Sequence, residues 1–279
     1  MSSRITKTIR SILLNLILAT VAFMFLLPML YLVSTAVKQP GETNSNPGLI
    51  PHSFDLTKFP VVWRQAGVLR LGLNSLIITV STVFLVLFLG SLAGYAFSRL
   101  RFYGKNALML LFLLSMMVPF AGVIVPLFQL NKAIGAINTY GAVVGPYVAF
   151  GLPFCILFLR TYFDTLPREL EESARIDGAS TFLVYLRILL PLTRPALATV
   201  GIFQALGTWN EFLLALLFLT KAELRTLPTG SVYFQAMYQT RFEEMCALLL
   251  TITLPVVILF VALQKQFVAG LTAGAVKGA

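Results

Sequence analysis

Charged residues are scarce in this chain of 279 residues: Asp, Glu, Lys and Arg together make up 11% of it, whereas hydrophobic residues make up 58%. A soluble domain of this length cannot cover its surface with so little charge, so the composition excludes a soluble globular protein. The mean hydropathy of +0.86 predicts instead an all-α polytopic membrane protein.

Residues that bind metals or form disulfides are equally few. The chain has two cysteines, Cys155 and Cys246, and a single histidine, His52. Both thiols lie in or beside apolar runs, where buried free cysteines are expected. This inventory supports neither a disulfide framework nor a His/Cys metal site, so we expect no bound metal.

Motifs for nucleotide binding and hydrolysis are missing from the sequence as well. Gly104 and Lys105 lack the first glycine of a phosphate-cradling loop, because position 99 is arginine. The polar segments outside the apolar runs also lack the combination of serine, histidine and acid that a catalytic triad requires. We therefore expect no enzyme. Energy for transport must come from a partner or an ion gradient. An ion-coupled carrier needs ionisable groups within its spans, and Glu211 is the main one in these apolar runs.

Six apolar runs predict six transmembrane helices in a single domain over residues 11–268. The predicted spans are residues 11–37, 71–97, 106–130, 139–159, 195–220 and 246–268. The first run follows a basic N-terminus, residues 1–10. It is too long for the core of a cleaved signal peptide and lacks a small-x-small cleavage site, so we interpret it as a span.

Proline and glycine predict the irregular features of these spans. Prolines at positions 119, 126, 146 and 153 predict irregular backbone in the third and fourth spans. Gly90 and Gly94 form a small-xxx-small face that favours close helix packing. Residues 38–70 are predicted to form a loop with one short helix around Leu56 to Gln65, and residues 221–245 a second polar loop.

The lysines and arginines predict the orientation of the chain. Of the 21 cations, 13 lie on the side of the N-terminus and 8 on the other side. This bias predicts that both termini and the loop of residues 160–194 lie in the cytoplasm. The net charge of +10 thus reflects topology. We expect contact with membrane lipid but not with nucleic acid, since the sequence has no basic aromatic stripe.

The loop of residues 160–194 is the longest polar segment between two spans. Asp164 or Thr165 can cap a first helix, and Pro167 suits its first turn. Glu171 and Arg175 stand four residues apart, which favours an ion pair on this helix. Its apolar side is predicted to comprise Leu170, Ala174 and Ile176.

A glycine corner and a second helix are predicted to follow. Gly178 can adopt the left-handed conformation that ends helices, so the first helix stops near Asp177. Ser180 or Thr181 can cap the second helix, which prolines at positions 191 and 195 interrupt. A solvated connector between two spans would also account for a polar loop of this kind.

The spacing of residues within this segment resembles the coupling loop of ATP-binding-cassette (ABC) importer permeases, E-A-A-x3-G-x9-I-x-L-P. The matching positions, with the neighbouring aspartate, are Glu172, Ser173, Ala174, Asp177, Gly178, Ile188, Leu190 and Pro191. Ser173 departs from the pattern by replacing the first alanine, which is a change between two small residues.

Further segments extend the resemblance over nearly the whole chain. They are Asn74-Ser75, Trp209-Asn210-Glu211-Phe212, Arg225-Thr-Leu-Pro228 and the tail Gly270-Leu-Thr-Ala-Gly-Ala-Val-Lys-Gly278. Together they are similar to the smaller, six-span subunit of carbohydrate importer permeases of the maltose and glycerol-3-phosphate type. The family often has aspartate at the position of Glu211. The resemblance implies the type I importer fold, with a cytoplasmic coupling helix, in the cytoplasmic (inner) membrane of a bacterial or archaeal cell.

The resemblance also implies partners and site residues. A heterodimeric pore with a second permease subunit, two copies of a cytoplasmic ABC ATPase and an extracytoplasmic solute-binding protein are expected. ATP and Mg²⁺ then bind the ATPase subunits, and this chain holds no cofactor. The coupling loop is expected to bind one ATPase. Within the C-terminal tail, residues 269–279, the positions near the ATPase interface are Gly274, Val276, Lys277 and Gly278.

Candidates for the translocation path are Asn74, Trp209, Asn210 and Glu211. Helix packing is the alternative role for these four residues, and for Glu211 a pairing with a neighbouring helix. The implied function is import of a sugar or oligosaccharide. Import of glycerol-3-phosphate, another polyol or an amino sugar is the alternative within the class. An ion-coupled secondary carrier and a membrane scaffold are alternatives outside it.

Overall fold

A computed structural model describes the backbone of residues 2–237 and 242–275, and the side chains of residues 9–232, 242–258 and 260–262. The described chain is helical. Its α-helices are α1 (Ser2–Val37), α2 (Glu42–Ser45), α3 (Lys58–Ala66), α4 (Val68–Arg99), α5 (Lys105–Ser115), α6 (Phe120–Ala133), α7 (Gly141–Thr165), α8 (Glu169–Ile176), α9 (Thr181–Val184), α10 (Leu190–Leu192), α11 (Arg194–Asn210), α12 (Leu213–Phe218), α13 (Leu227–Met237) and α14 (Phe242–Ala275). A π-helical segment, Tyr185–Leu189, joins α9 to α10, and a 3₁₀ turn, Ala222–Leu224, precedes α13.

Four single helices and two bent pairs of helices are the candidates for the six predicted spans. Four apolar segments are long enough to cross a membrane, namely Ile9–Val37, Val68–Arg99, Gly141–Thr165 and Phe242–Ala262. Two further pairs of helices are bent: α5 and α6 by 100°, and the segment Thr181–Leu192 and α11 by 74°. The described part of the chain therefore has up to six candidate spans when each bent pair counts as one. The second pair covers residues 181–210 and not the predicted 195–220, so it begins within the loop of residues 160–194. The predicted fifth span is divided between α11 and α12.

Only one of the four prolines that were predicted to cause irregular backbone lies at a break between helices. Pro119 has an extended conformation and separates α5 from α6. Pro126, Pro146 and Pro153 lie inside continuous helices, so the prediction of irregular backbone at these three positions is wrong. A proline within a membrane helix loses one hydrogen bond, and neighbouring helices can satisfy the freed carbonyl without a break.

Two predicted loops contain more helix than expected. The short helix expected around residues 56–65 is observed as α3, and α2 precedes it within the same loop. The loop predicted for residues 221–245 instead includes α13 and the first turn of α14.

The chain divides into two compact units, and the first comprises residues 1–68 and 231–255. Ala36 packs there against Cys246 and Ala247, and Val62 packs against Leu248. Lys38 is fully buried, and its Nζ donates hydrogen bonds of 2.7 Å to two backbone carbonyls. These contacts hold residues 38–68 of the predicted loop within this unit.

The second unit comprises residues 69–230 and 256–279, and helices α4 and α7 pack closely within it. A Cβ atom at Gly90 would overlap the Sγ atom of Cys155, and one at Gly94 would lie 3.1 Å from the Cβ atom of Leu159. The close packing predicted for the Gly90 and Gly94 face is therefore confirmed. It places the C-terminal end of α4 beside the segment that follows α7.

Candidate functional site

Helix α8 forms the first part of the predicted coupling segment. It runs from Glu169 to Ile176, and no described side chain caps its N-terminus. The prediction that Asp164 or Thr165 caps it is wrong, because α7 continues to Thr165. The chain then turns extended at Leu166, as expected for a residue that precedes proline.

A Schellman motif ends α8 at the predicted glycine corner. Gly178 has φ +84°, in the left-handed region. Its N–H donates to the Arg175 carbonyl at 3.0 Å, and the Ala179 N–H donates to the Ala174 carbonyl at 2.9 Å. These two bonds satisfy carbonyls that the helix end would otherwise leave free. The prediction that the helix stops near Asp177 with Gly178 left-handed is confirmed.

The second half of the segment begins with the predicted cap. The Ser180 hydroxyl accepts a hydrogen bond of 3.3 Å from the Leu183 N–H at the start of α9. The helix then widens into the π-helical segment before Pro191, which cannot donate a backbone hydrogen bond. Ile188 and Leu190 are partly buried against the main hydrophobic cluster of the second unit. The motif positions at this end therefore hold the segment on the spans.

Hydrogen bonds from α4 hold the segment along its length. Ser91 Oγ lies 2.8 Å from the Tyr185 hydroxyl in a shared hydrogen bond. The Tyr95 hydroxyl donates to the Thr181 carbonyl at 3.4 Å. The Ser98 hydroxyl donates to Asp164 Oδ1 at 2.6 Å. We call this series of contacts, with those of Arg99 below, the α4 ladder.

Arg99 is the best-connected residue of the α4 ladder. Its Nη2 donates hydrogen bonds of 2.7 Å to the carbonyls of Phe163 and Leu166, where α7 ends. Its Nε lies 2.7 Å from Glu171 Oε1, and the two side chains are 4% and 8% exposed. The predicted pair of Glu171 with Arg175 also forms, but it is longer, at 3.9 Å, and half exposed at Arg175. One guanidinium thus connects α4, α7 and α8.

Helix α8 does not bury all three residues that were predicted to form its apolar side. Ala174 is buried, but Leu170 is 38% and Ile176 86% exposed. Glu171 takes the buried position instead, because its carboxylate pairs with Arg99. Glu172, Ser173, Asp177 and Gly178 are also exposed. The segment therefore presents a free surface with an exposed isoleucine at its centre.

Glu211 lies at a break in the fifth span, between α11 and α12. Its backbone is extended, and its Oε1 atom accepts a hydrogen bond of 2.9 Å from the Leu214 N–H. Its Oε2 atom accepts hydrogen bonds from the Tyr147 hydroxyl and, at 3.3 Å, from the Ala215 N–H. The carboxylate therefore caps α12 and ties it to α7. Sequence reasoning treated this span as one helix and missed the break.

The remaining path candidates lie in different surroundings. Asn74 is buried, and its amide donates to the carbonyls of Glu223 and Arg225 while its oxygen accepts from the Tyr140 hydroxyl. Trp209 is partly buried, whereas Asn210 is exposed and donates to the Leu206 carbonyl of its own helix. The structure thus does not bring Asn74 and Glu211 to one site, and the path role of all four stays a prediction.

Most of the predicted tail positions lie outside the described residues. These are Val276, Lys277 and Gly278. Gly274 belongs to the last turn of α14. Their expected contact with an ATPase therefore also stays a prediction.

The bent and straight spans and the segment between them define a multi-pass integral membrane transport subunit. The chain belongs to the family described as binding-protein-dependent transport system inner membrane component, which it matches over residues 86–272. The matched range includes the whole α4 ladder and the break at Glu211.

Named relatives span most of the chain. It is 36% identical to the arabinooligosaccharides transport system permease protein AraQ of Halalkalibacterium halodurans, over 99% of each chain. It is 35% identical to the trehalose transport system permease protein SugB of Mycobacterium tuberculosis, over 91% of this chain and 93% of that protein. The crystal structure of a bacterial ABC transporter involved in alginate import shares the fold, with a TM-score of 0.81 at 22% identity over 94% of this chain and 98% of that one.

Proposed function

We propose that this chain is a permease subunit of an ATP-driven importer for a sugar or oligosaccharide, and that residues 160–194 couple it to an ATPase. The observation that carries the proposal is that this segment is rigid and firmly attached to the spans. A Schellman motif fixes its turn at Gly178, and Arg99 of α4 contacts both the end of α7 and Glu171 of α8. The sugar class is supported by the transported solutes in the names of the relatives.

The proposed complex contains a second permease subunit, two ATPase subunits and an extracytoplasmic solute-binding protein. ATP and Mg²⁺ bind the ATPases, where hydrolysis takes place. The exposed surface around Ile176, with Glu172 and Gly178, inserts into a cleft of one ATPase. The tail positions 274 and 276–278 contact the same ATPase layer. Because such subunits act in the cytoplasm, both termini and residues 160–194 lie on the cytoplasmic side of the inner membrane.

Coupling in this proposal depends on a rigid connection between the segment and the spans. When the ATPase dimer closes, α8 moves as a body because its corner is closed by backbone hydrogen bonds. The ion pair of Arg99 with Glu171 passes this displacement to α4. The hydrogen bonds of Arg99 to the Phe163 and Leu166 carbonyls, and of Ser98 to Asp164, pass it on to α7. A rigid element with two discrete placements is what coupling between distant sites requires.

The experiment compares Gly178→Val with Gly135→Val in mild detergent. Both glycines have a positive φ, +84° and +68°, and a Cβ atom at either meets no atom within 4 Å. The two substitutions therefore impose a similar backbone strain, but only Gly178 lies in the segment. We expect the wild type and Gly135→Val to recover a second permease and an ATPase with sugar-stimulated ATP hydrolysis, and Gly178→Val to lose the ATPase.

The other outcomes discriminate between the alternatives. Recovery of the ATPase and normal uptake with Gly178→Val would contradict the coupling role. A chain that purifies alone and still transports solute along a proton or sodium gradient would favour the ion-coupled carrier. Loss of the chain without loss of any uptake would favour a scaffold.

A further inference from the structure

A cavity of about 340 Å³ opens in the second unit beside the break in the fifth span. Its volume lies in the range of about 300–1,000 Å³ that is usual for small-molecule sites. The lining residues are Phe120, Tyr147, Phe150, Gly151, Gln204, Gly207, Thr208 and Glu211. They come from α6, α7, α11 and, for Glu211, the break after α11, so three helices and this break contribute to one concave surface.

One wall of the cavity is aromatic. The rings of Phe120 and Phe150 pack edge to face, with centroids 5.3 Å apart and planes at 65°. The two residues remain 37% and 39% exposed, so the edge-to-face contact leaves part of each ring uncovered. Tyr147 also lines the cavity and is buried. This wall offers ring faces to a ligand with apolar C–H groups.

A second wall of the cavity is polar. Gln204 Nε2 donates a hydrogen bond of 3.1 Å to the Thr208 hydroxyl, which fixes the amide. Its Oε1 atom lies against Gly151, where a Cβ atom would overlap it. The Glu211 carboxylate completes this wall. A polar surface of this kind is costly against lipid, so it belongs beside a water-filled path or another protein surface.

The charge of the cavity selects among ligands. None of the described residues that line it is Lys, Arg or His, and Glu211 is its one ionisable acid. The donors that reach this carboxylate are a hydroxyl and two backbone amides, which stabilise it without cancelling its charge. An anionic ligand would meet repulsion here, whereas hydroxyl groups can donate to the carboxylate.

We propose that this cavity holds one glycosyl unit of a neutral sugar on its way through the subunit. The proposal rests on the proposed function and narrows its substrate class to neutral sugars, against phosphorylated or acidic ones. The aromatic wall contacts the C–H face of the ring. Glu211 and Gln204 accept hydrogen bonds from sugar hydroxyls.

Gly207 provides a test that fills the cavity without disturbing the fold. It lines the cavity, and a Cβ atom there meets no atom within 4 Å. Gly145 is equally open on α7 and does not line the cavity, so Gly145→Leu is the matched control. The assay is uptake into vesicles that contain the whole importer with its binding protein. The neutral probes are arabinotriose, trehalose and maltose, and the anionic probes are glycerol 3-phosphate and an alginate disaccharide.

We expect ATP-dependent uptake of at least one neutral probe and of neither anionic probe. Gly207→Leu should lower the uptake of that neutral probe at least about tenfold, since even one methylene changes discrimination in a pocket by about 10- to 200-fold. Gly145→Leu should transport as the wild type does. The amount of ATPase recovered with each variant should be equal.

A second pair of variants tests the aromatic wall. Phe150→Leu should lower uptake of the neutral probe by about two- to tenfold, as expected for loss of an aromatic contact. Phe154→Leu is the control, because Phe154 has a similar exposure on the same helix but does not line the cavity.

Three results would overturn the inference while the importer function stands. They are uptake of the anionic probes alone, uptake of none of the neutral probes by a complex that retains its ATPase, and unchanged uptake with both Gly207→Leu and Phe150→Leu. Failure of the wild type to recover any ATPase would instead contradict the proposed function itself.

Discussion

Two acidic side chains of the second unit, Glu171 and Glu211, are stabilised in opposite ways. Glu171 is 8% exposed and pairs with the guanidinium of Arg99, which cancels its charge. Glu211 accepts hydrogen bonds from the Tyr147 hydroxyl and from two backbone amides and keeps its charge beside a cavity. A cancelled charge fixes the position of an element, whereas a retained charge remains available to a ligand. The α4 ladder is therefore suited to transmit displacement, and the break at Glu211 to bind solute.

Removal of the Arg99 guanidinium should lower the free energy of unfolding more than any other substitution described below. Arg99→Met leaves buried Glu171 with only the longer, half-exposed pair to Arg175, and it leaves the Phe163 and Leu166 carbonyls without their Arg99 donor. Breaking a buried ion pair on one side costs about 3–5 kcal/mol. We expect the free energy of unfolding in detergent to fall by about this amount.

The controls for this variant separate the ion pair from a general loss of charge. Arg101→Met removes an exposed cation two positions away and should leave the unfolding transition unchanged. The double variant Arg99→Met with Glu171→Leu should regain part of the loss, since it leaves no buried charge. Near wild-type stability of Arg99→Met alone would show that the pair does not hold the segment.

The same substitution at the two acids should give unequal effects. Glu171→Gln removes the charge that balances buried Arg99, so we expect a loss of about 2–4 kcal/mol in the free energy of unfolding. Glu211→Gln keeps an oxygen that can accept from Tyr147 or from the start of α12, so the loss should be about 1 kcal/mol. Unfolding of both variants in the same detergent measures the difference. Equal losses would contradict the distinction between a cancelled and a retained charge.

The sequence predicted those features of the site that depend on neighbouring residues. The left-handed Gly178 and the cap at Ser180 involve partners within five positions, so residue type and spacing were sufficient. Arg99 was recognised only as a cation at the end of a span, because the Phe163 carbonyl that it contacts lies 64 residues away. For Glu211, the sequence alone allows two roles, pairing with a neighbouring helix or lining the translocation path. The structure shows that it pairs with Tyr147 and also lines a cavity, which depends on how three helices pack.

The smallest loss of stability is expected at Ser180, whose side chain makes a helix-capping hydrogen bond and no contact with a buried charge. Ser180→Ala removes the side-chain acceptor for the Leu183 N–H at the start of α9, and loss of such a cap costs about 1 kcal/mol. Because α9 is also held by the Tyr95 and Tyr185 hydrogen bonds of the α4 ladder, the segment should keep its position and its ATPase. Thermal unfolding should therefore shift slightly, while the ratio of sugar taken up to ATP hydrolysed stays that of the wild type. A changed ratio with Ser180→Ala would mean that coupling depends on the local helix start more than on the ladder to α4.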